Sequence, residues 1–168
     1  NNACVLRKRG TADGEYMNVN VRINPHGNIN PTETKIQLVK VNKTTGAETE
    51  LVPETVIAEK MHTIIDLADQ SSRMKDYYDI YHLLTSFQYD TVILQDAINR
   101  TFENRYTPYN AGTMFFREDF PNHPQMQVRW SAFLRKAAIN SALSFTEVVR
   151  WLQDTLKPYW TAYGRMQH

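Results

Sequence analysis

Pro53-Glu54-Thr55-Val56-Ile57-Ala58-Glu59-Lys60-Met61-His62-Thr63-Ile64-Ile65-Asp66-Leu67-Ala68 is the stretch on which the fold turns. Proline suits the first turn of a helix, where its missing N–H costs nothing, and Glu54 favours the positive end of the dipole. Val56, Ile57, Met61, Ile64, Ile65 and Ala68 recur at helical spacing, which predicts an amphipathic helix to about Asp69. Before Pro53 the period is two rather than 3.6. Tyr16-Met17-Asn18-Val19-Asn20-Val21-Arg22-Ile23 alternates almost strictly, and Thr34 to Val41 alternates again through Ile36 and Leu38. Turn residues at Asn24–Asn28 and Asn42–Gly46 separate these runs, and Glu48 to Val52 reads as a short further strand.

Beyond the first helix the helical period persists. Ser71-Ser72 offers an N-cap for a second helix to about Phe87, with Met74, Tyr77, Tyr78, Tyr81 and Leu84 inward. Asp90 opens a third, to about Glu103, carrying Val92, Ile93, Leu94, Ala97, Ile98 and Phe102. Residues Tyr106 to Pro124 read as a packed, aromatic-rich loop. A fourth helix covers about Met126 to Asn140, with Trp130, Phe133, Leu134 and Ala137 at core spacing. Ser144-Phe145-Thr146-Glu147 has capping-box spacing and starts a fifth, which stops before Pro158. The fold class expected is α+β: a β portion over residues 1–52, then a helical domain over 53–168.

Composition is that of a globular chain. Across 168 residues, 42% are hydrophobic and 22% charged, which excludes a disordered or fibrous protein. The formal net charge of +1 gives no bulk attraction for nucleic acid or an anionic membrane, so such binding has to come from a local patch. No apolar run reaches the roughly 20 residues needed to span a bilayer. Cys4 is the only cysteine and cannot form an intramolecular disulfide, which fits a reducing, cytoplasmic setting. The start at Asn1 is neither a signal peptide nor an initiator methionine, and the chain reads as part of a longer one.

Polar chemistry concentrates on the first two helices. Lys60 follows Ile57 by three and precedes Ile64 by four, so it lies on the face that is to be buried. It either snorkels or meets an anionic group. In Ser72-Arg73-Met74-Lys75-Asp76-Tyr77-Tyr78-Asp79, steps of three put Arg73, Asp76 and Asp79 on one stripe. Packed together, the two helices would gather an ammonium, a guanidinium and two carboxylates, an inventory that suits holding a polyphosphate or steering a hydroxyl. Spacing alone favours the plainer reading, in which Arg73, Lys75, Asp76 and Asp79 form intrahelical ion pairs and Lys60 snorkels. His62 and His82 lie on the same helices and read as packing residues. Arg7-Lys8-Arg9 reads as solvated charge, and the Tyr106, Tyr109, Phe115 and Phe116 cluster as core packing rather than a base-stacking platform.

The segments Pro53–His62 and Ser72–Asp79, with Asp96-Ala97-Ile98-Asn99-Arg100-Thr101-Phe102 and Trp130-Ser131-Ala132-Phe133-Leu134, resemble the C-terminal motifs of the AbiEii/AbiGii toxin family. These are nucleotidyltransferase-like proteins of type IV toxin–antitoxin and abortive-infection systems. The resemblance implies a partial nucleotidyltransferase sheet of the DNA polymerase β type, followed by a helical C-terminal domain. It implies Lys60 as a triphosphate-contacting and catalytic lysine, Asp76 as the second catalytic residue, and Arg73 and Asp79 as further substrate contacts. It also implies a nucleoside triphosphate as substrate, transfer RNA as an acceptor, a cognate antitoxin and magnesium.

The family's Gly-Ser turn and Asp-x-Asp metal pair are missing, since no Gly-Ser dipeptide occurs in the sequence. Asp13-Gly14-Glu15 reads as a turn, and Arg22 stands where the family often carries an acid. Magnesium ligands are therefore expected outside this chain, which alone should not catalyse. The alternative expectation is a non-catalytic, truncated homologue that binds an antitoxin or RNA.

Overall fold

A computed structural model describes the backbone of residues 3–7, 15–22, 37–42 and 45–168, and the side chains of 45–47 and 52–168. The chain divides into two compact units, Asn1–Val56 and Ile57–His168. In the first, β1 (Ala3–Arg7), β2 (Glu15–Arg22), β3 (Gln37–Asn42) and β4 (Glu48–Leu51) pair antiparallel in chain order. Cys4 stands opposite Val21, Val19 opposite Leu38, and Val39 opposite Glu50. Asp13-Gly14, Lys8-Arg9 and the Asn24–Asn28 turn lie outside the described residues, as do the side chains of Cys4, Arg7, Glu15 and Arg22.

The α+β expectation built on a partial nucleotidyltransferase sheet is corrected. The part of the chain whose side chains are described consists of helices joined by turns and loops, with no strand or sheet inside it. Its elements are α1 (Pro53–Leu67), α2 (Met74–Ser86), α3 (Thr91–Asn104), α4 (Pro124–Lys136) and α5 (Phe145–Met166), with 3-10 turns at Ala68–Gln70, Met114–Phe116 and Phe120–Asn122. The sheet was what the resemblance implied; alternation by itself establishes a strand and its two faces but says nothing of the order in which strands pair. The β1–β4 backbone is an up-and-down meander, which needs no crossover helix to connect its neighbours.

Helix α5 organises the helical unit, touching α2, α3, α4 and the 3-10 turns at Met114–Phe116 and Phe120–Asn122. Ser144 caps it in a full capping box with Glu147, as its spacing predicts. It does not stop at Pro158 but continues to Met166. Proline removes one backbone hydrogen bond there. Beyond it, Trp160 and Tyr163 are buried, and Tyr163 donates its hydroxyl to the Thr107 carbonyl at 2.7 Å. Each large side chain so buried contributes about 1.5–3 kcal/mol, which offsets the lost bond. Gln153 of α5 donates from its side-chain amide to the backbone carbonyls of Phe115 (2.7 Å) and Arg117 (2.9 Å), both in the 105–123 segment. That segment is accordingly packed, with Phe115 and Phe120 in the core.

Two inward faces differ from expectation. On α3 the buried line is Leu94, Ile98, Thr101 and Phe102, a single stripe at steps of three and four, while Val92 and Ile93 fall off it into solvent. On α4 only Met126 and Trp130 are buried, and the helix ends at Lys136 rather than Asn140. Ala138, with φ of 53°, takes the left-handed position of a Schellman ending, and Ile139 N–H donates to the Leu134 carbonyl at 2.9 Å.

The α1–α2 connection is held from far along the chain. Ala68 has φ of 42°, and Arg129 of α4 donates from one Nη to the carbonyls of Asp69 (2.6 Å) and Ser71 (3.1 Å). Ser71, itself buried, accepts from Arg73 N–H at 3.0 Å and sets the start of α2.

Candidate functional site

The site is a charge cluster between α1 and α2. Helix α1 is buried on nearly all sides from Ile57 to Ile65, and Lys60 lies within that stretch. Asp76 and Asp79 occupy the first turns of α2 on its inward stripe. Lys60 Nζ donates to Asp76 Oδ1 at 3.1 Å and to Asp79 Oδ2 at 2.9 Å. The remaining cations of α2 close on the same carboxylates: Arg73 Nε lies 3.0 Å from Asp76 Oδ2, and Lys75 Nζ is 2.6 Å from Asp79 Oδ2. All four residues singled out from the sequence are therefore brought together, and so is Lys75.

Burial divides the cluster into a core and a rim. The side chains of Lys60, Asp76 and Asp79 are 6%, 4% and 6% exposed, whereas those of Arg73 and Lys75 are 43% and 33% exposed. The ion pairs of the plainer reading are present, but its snorkelling lysine is not. The intrahelical pairs form at i,i+3 and i,i+4, and Lys60 ties them together from the neighbouring helix. Lys60 neither snorkels nor reaches a free anion. A buried carboxylate is tolerable only when its charge is met, and among the described residues these two carboxylates meet three cations. Asp79 Oδ1 has no hydrogen-bond partner among the described residues. Arg73 forms an ion pair with Asp76 through Nε while its side chain stays 43% exposed.

Neighbouring groups frame the cluster. His62, two residues past Lys60, contacts Thr107 Oγ1 through Nε2 at 2.8 Å and stacks edge-on against Phe102. Burial lowers its pKa, and the Arg105 guanidinium, itself paired with Glu59, lowers it further. His82, three residues past Asp79, packs on the Tyr78 ring at 4.2 Å, and burial outweighs the opposing pull of Asp79 to lower its pKa. Both histidines are packing residues. Of the aromatic loop, Phe115 is fully buried, Tyr109 and Phe116 pack on Trp160, and Tyr106 is 93% exposed.

The family description "Nucleotidyl transferase AbiEii toxin, Type IV TA system" matches residues 49–154, well over half of the chain and inclusive of the whole cluster. The chain belongs to the AbiEii family. No curated protein and no solved structure matches it. Membership makes it a nucleotidyltransferase-like toxin of a type IV toxin–antitoxin system, and it implies a nucleotide substrate, an antitoxin and a divalent metal.

The cluster does not fit that metal. Asp76 and Asp79 are already engaged by Lys60, Arg73 and Lys75, and a dication there would face three positive charges. Among the described residues, no group of three or more His, Cys, Asp and Glu side chains is placed to hold a metal ion. No helix among them is long and apolar enough to cross a membrane.

Sequence reasoning placed Lys75 among the intrahelical pairs but missed Arg129. Lys75 sits one position off the inward stripe, yet its long stem reaches Asp79 one turn on; the i,i+4 spacing carried that signal. Arg129, which holds the α1–α2 connection, lies about sixty residues from the carbonyls it binds and gave no local signal.

Proposed function

We propose that the helical unit supplies the phosphate-binding corner of a nucleotidyltransferase, which transfers a nucleotide from a nucleoside triphosphate to an acceptor such as transfer RNA. One observation carries the reading: a buried Lys60–Asp76–Asp79 core, inside the family match, is paired with an Arg73 guanidinium that stays 43% exposed at the surface. An exposed guanidinium anchored by an ion pair can offer its planar fork to a phosphate in bidentate fashion. In this arrangement Arg73 meets phosphate and Lys75 adds positive charge beside it. Asp76 orients Arg73. Lys60 and Asp79 act through those partners, as positioning residues rather than as contacts to the triphosphate. The metal-dependent chemistry belongs to residues other than these carboxylates.

Isothermal titration of the native protein with each of the four ribonucleoside triphosphates, in magnesium buffer, tests this reading. Arg73→Gln should weaken binding at least tenfold while leaving the unfolding midpoint nearly unchanged, and Arg73→Lys should recover part of the loss. Equal affinity in wild type and Arg73→Gln would remove Arg73 from the site.

A second reading is favoured by the same burial. The nearly closed Lys60–Asp76–Asp79 core also suits a purely structural tie within an interaction module for an antitoxin or RNA. That reading expects no triphosphate binding in wild type.

A further inference from the structure

We infer that the outward face of α5 is a binding surface for the sugar–phosphate backbone of a single-stranded polynucleotide. Before residue 130, each lysine and arginine of the helical unit is held, by a carboxylate or, at Arg129, by backbone carbonyls. After it the pattern reverses. Arg150, Lys157 and Arg165 are exposed and have no ion pair among the described residues, as is also true of Arg135 and Lys136 on α4.

The three α5 cations form one line. With Asp154 and Thr161 they follow at steps of four, three, four and four, which keeps them within an arc of about 80° on a helix of 3.6 residues per turn. From Arg150 to Arg165 the line runs about 22 Å at 1.5 Å per residue. A shallow depression lined by Asp154, Lys157, Pro158, Thr161 and Arg165 lies along it. Pro158, lacking an N–H, leaves the Asp154 carbonyl without its helical donor on the same turn.

The character of the stripe selects the partner. A protein interface needs aromatic or aliphatic anchors at its centre, and the stripe offers none; the exposed large hydrophobic of α5 is Met166, at its very end. A membrane-surface helix needs an apolar flank, whereas the apolar side of α5 is buried in the core. Three spaced cations with a hydroxyl among them, on a rigid helix, are what backbone phosphates require, and with the one carboxylate of the line, Asp154, the stripe still carries a net +2 (three minus one). Lys157 and Arg165 also lie beyond the residues matched by the family, so the surface is read from this chain's own charges. The inference stands apart from nucleotide transfer and does not rest on Arg73.

Fluorescence anisotropy of the native protein with a 20-nucleotide oligouridylate tests it, compared with the triple variant Arg150→Gln/Lys157→Gln/Arg165→Gln. Three phosphate contacts predict a slope of log affinity against log salt of about −2, so affinity should fall about sixteenfold between 50 and 200 mM salt. The variant should bind at least tenfold more weakly at 50 mM, with the slope near zero, and should melt at the wild-type temperature. Oligothymidylate run alongside separates an RNA surface from one that takes either backbone. Absence of wild-type binding, an unchanged affinity and slope in the variant, or equal binding of polyglutamate of matched length would each overturn the inference. Because Arg73→Gln should spare oligouridylate binding while the triple variant spares triphosphate binding, the failure of one proposal is distinguishable from the failure of the other.

Discussion

Replacing Lys60 with methionine keeps most of the stem and removes only the ammonium, so it isolates the charge. Two carboxylates, 4% and 6% exposed, then each lose a charge-assisted hydrogen bond. At about 1.5–3 kcal/mol for each such bond, the loss is roughly 3–6 kcal/mol. Breaking a buried ion pair from one side independently costs about 3–5 kcal/mol. Arg73 and Lys75 remain on Asp76 and Asp79, which puts the expected value near the lower end, about 3 kcal/mol. For a domain of this size that corresponds to a fall of about 6–12 °C in Tm, or over 1 M in urea midpoint. The loss should change little between 0.1 and 1 M salt, because buried charges are poorly screened. The triple variant Lys60→Met/Asp76→Asn/Asp79→Asn should recover much of it, since no uncompensated carboxylate is left behind. Chemical denaturation followed by circular dichroism reads all of these. A shift of less than about 0.3 M for Lys60→Met, or one that disappears in high salt, would refute the buried tie and return Lys60 to a solvated role.

Two further outcomes follow from packing and protonation. A Cβ on Gly164 would lie 2.7 Å from the Tyr109 ring, so Gly164→Ala should destabilise by about 1–2 kcal/mol despite the better helix propensity of alanine. In a Tyr109→Ala background the same change should become stabilising, and retention of its sign would show that the ring is not the obstacle. His62 and His82 have folded-state pKa values below the unfolded 6.5, so the unfolded chain binds more protons as pH falls. Their contribution is complete above about pH 6.5 and is lost as pH drops through the folded values. The urea midpoint should therefore decline from pH 7.5 to 5.5, less steeply in His62→Gln; a midpoint that rises over that range contradicts their burial.

How far the sequence carried differs between the helices and their relations. Helical spacing placed α1, α2 and α3 within a few residues of their observed ends, because apolar stripes and caps are local signals. Lys60, Arg73, Asp76 and Asp79 were legible as a group for the same reason. Their bonding was not: a stripe gives a face, but the distance from Nζ to a carboxylate on another helix depends on how the helices approach. Pro158 misled because a local penalty was weighed without the burial of Trp160 and Tyr163 beyond it. On α4, Phe133 and Leu134 have core spacing but are only half-buried, since the helix leaves the core near its Schellman ending. The partial nucleotidyltransferase sheet was implied by the resemblance and not by the alternation, and no strand lies in the part of the chain whose side chains are described.

The Arg129 grip on the Asp69 and Ser71 carbonyls bears on where this chain can be divided. The corner that sets Lys60 against Asp76 and Asp79 takes its last hydrogen bonds from α4, some sixty residues downstream. A fragment ending within the 105–123 segment would contain every charge of the cluster and still lack the clasp at its corner. A cut in the 137–143 connection would keep the clasp and the cluster on one piece. Split versions of the protein should therefore tolerate the second break far better than the first, although the first falls farther from α5's capping box.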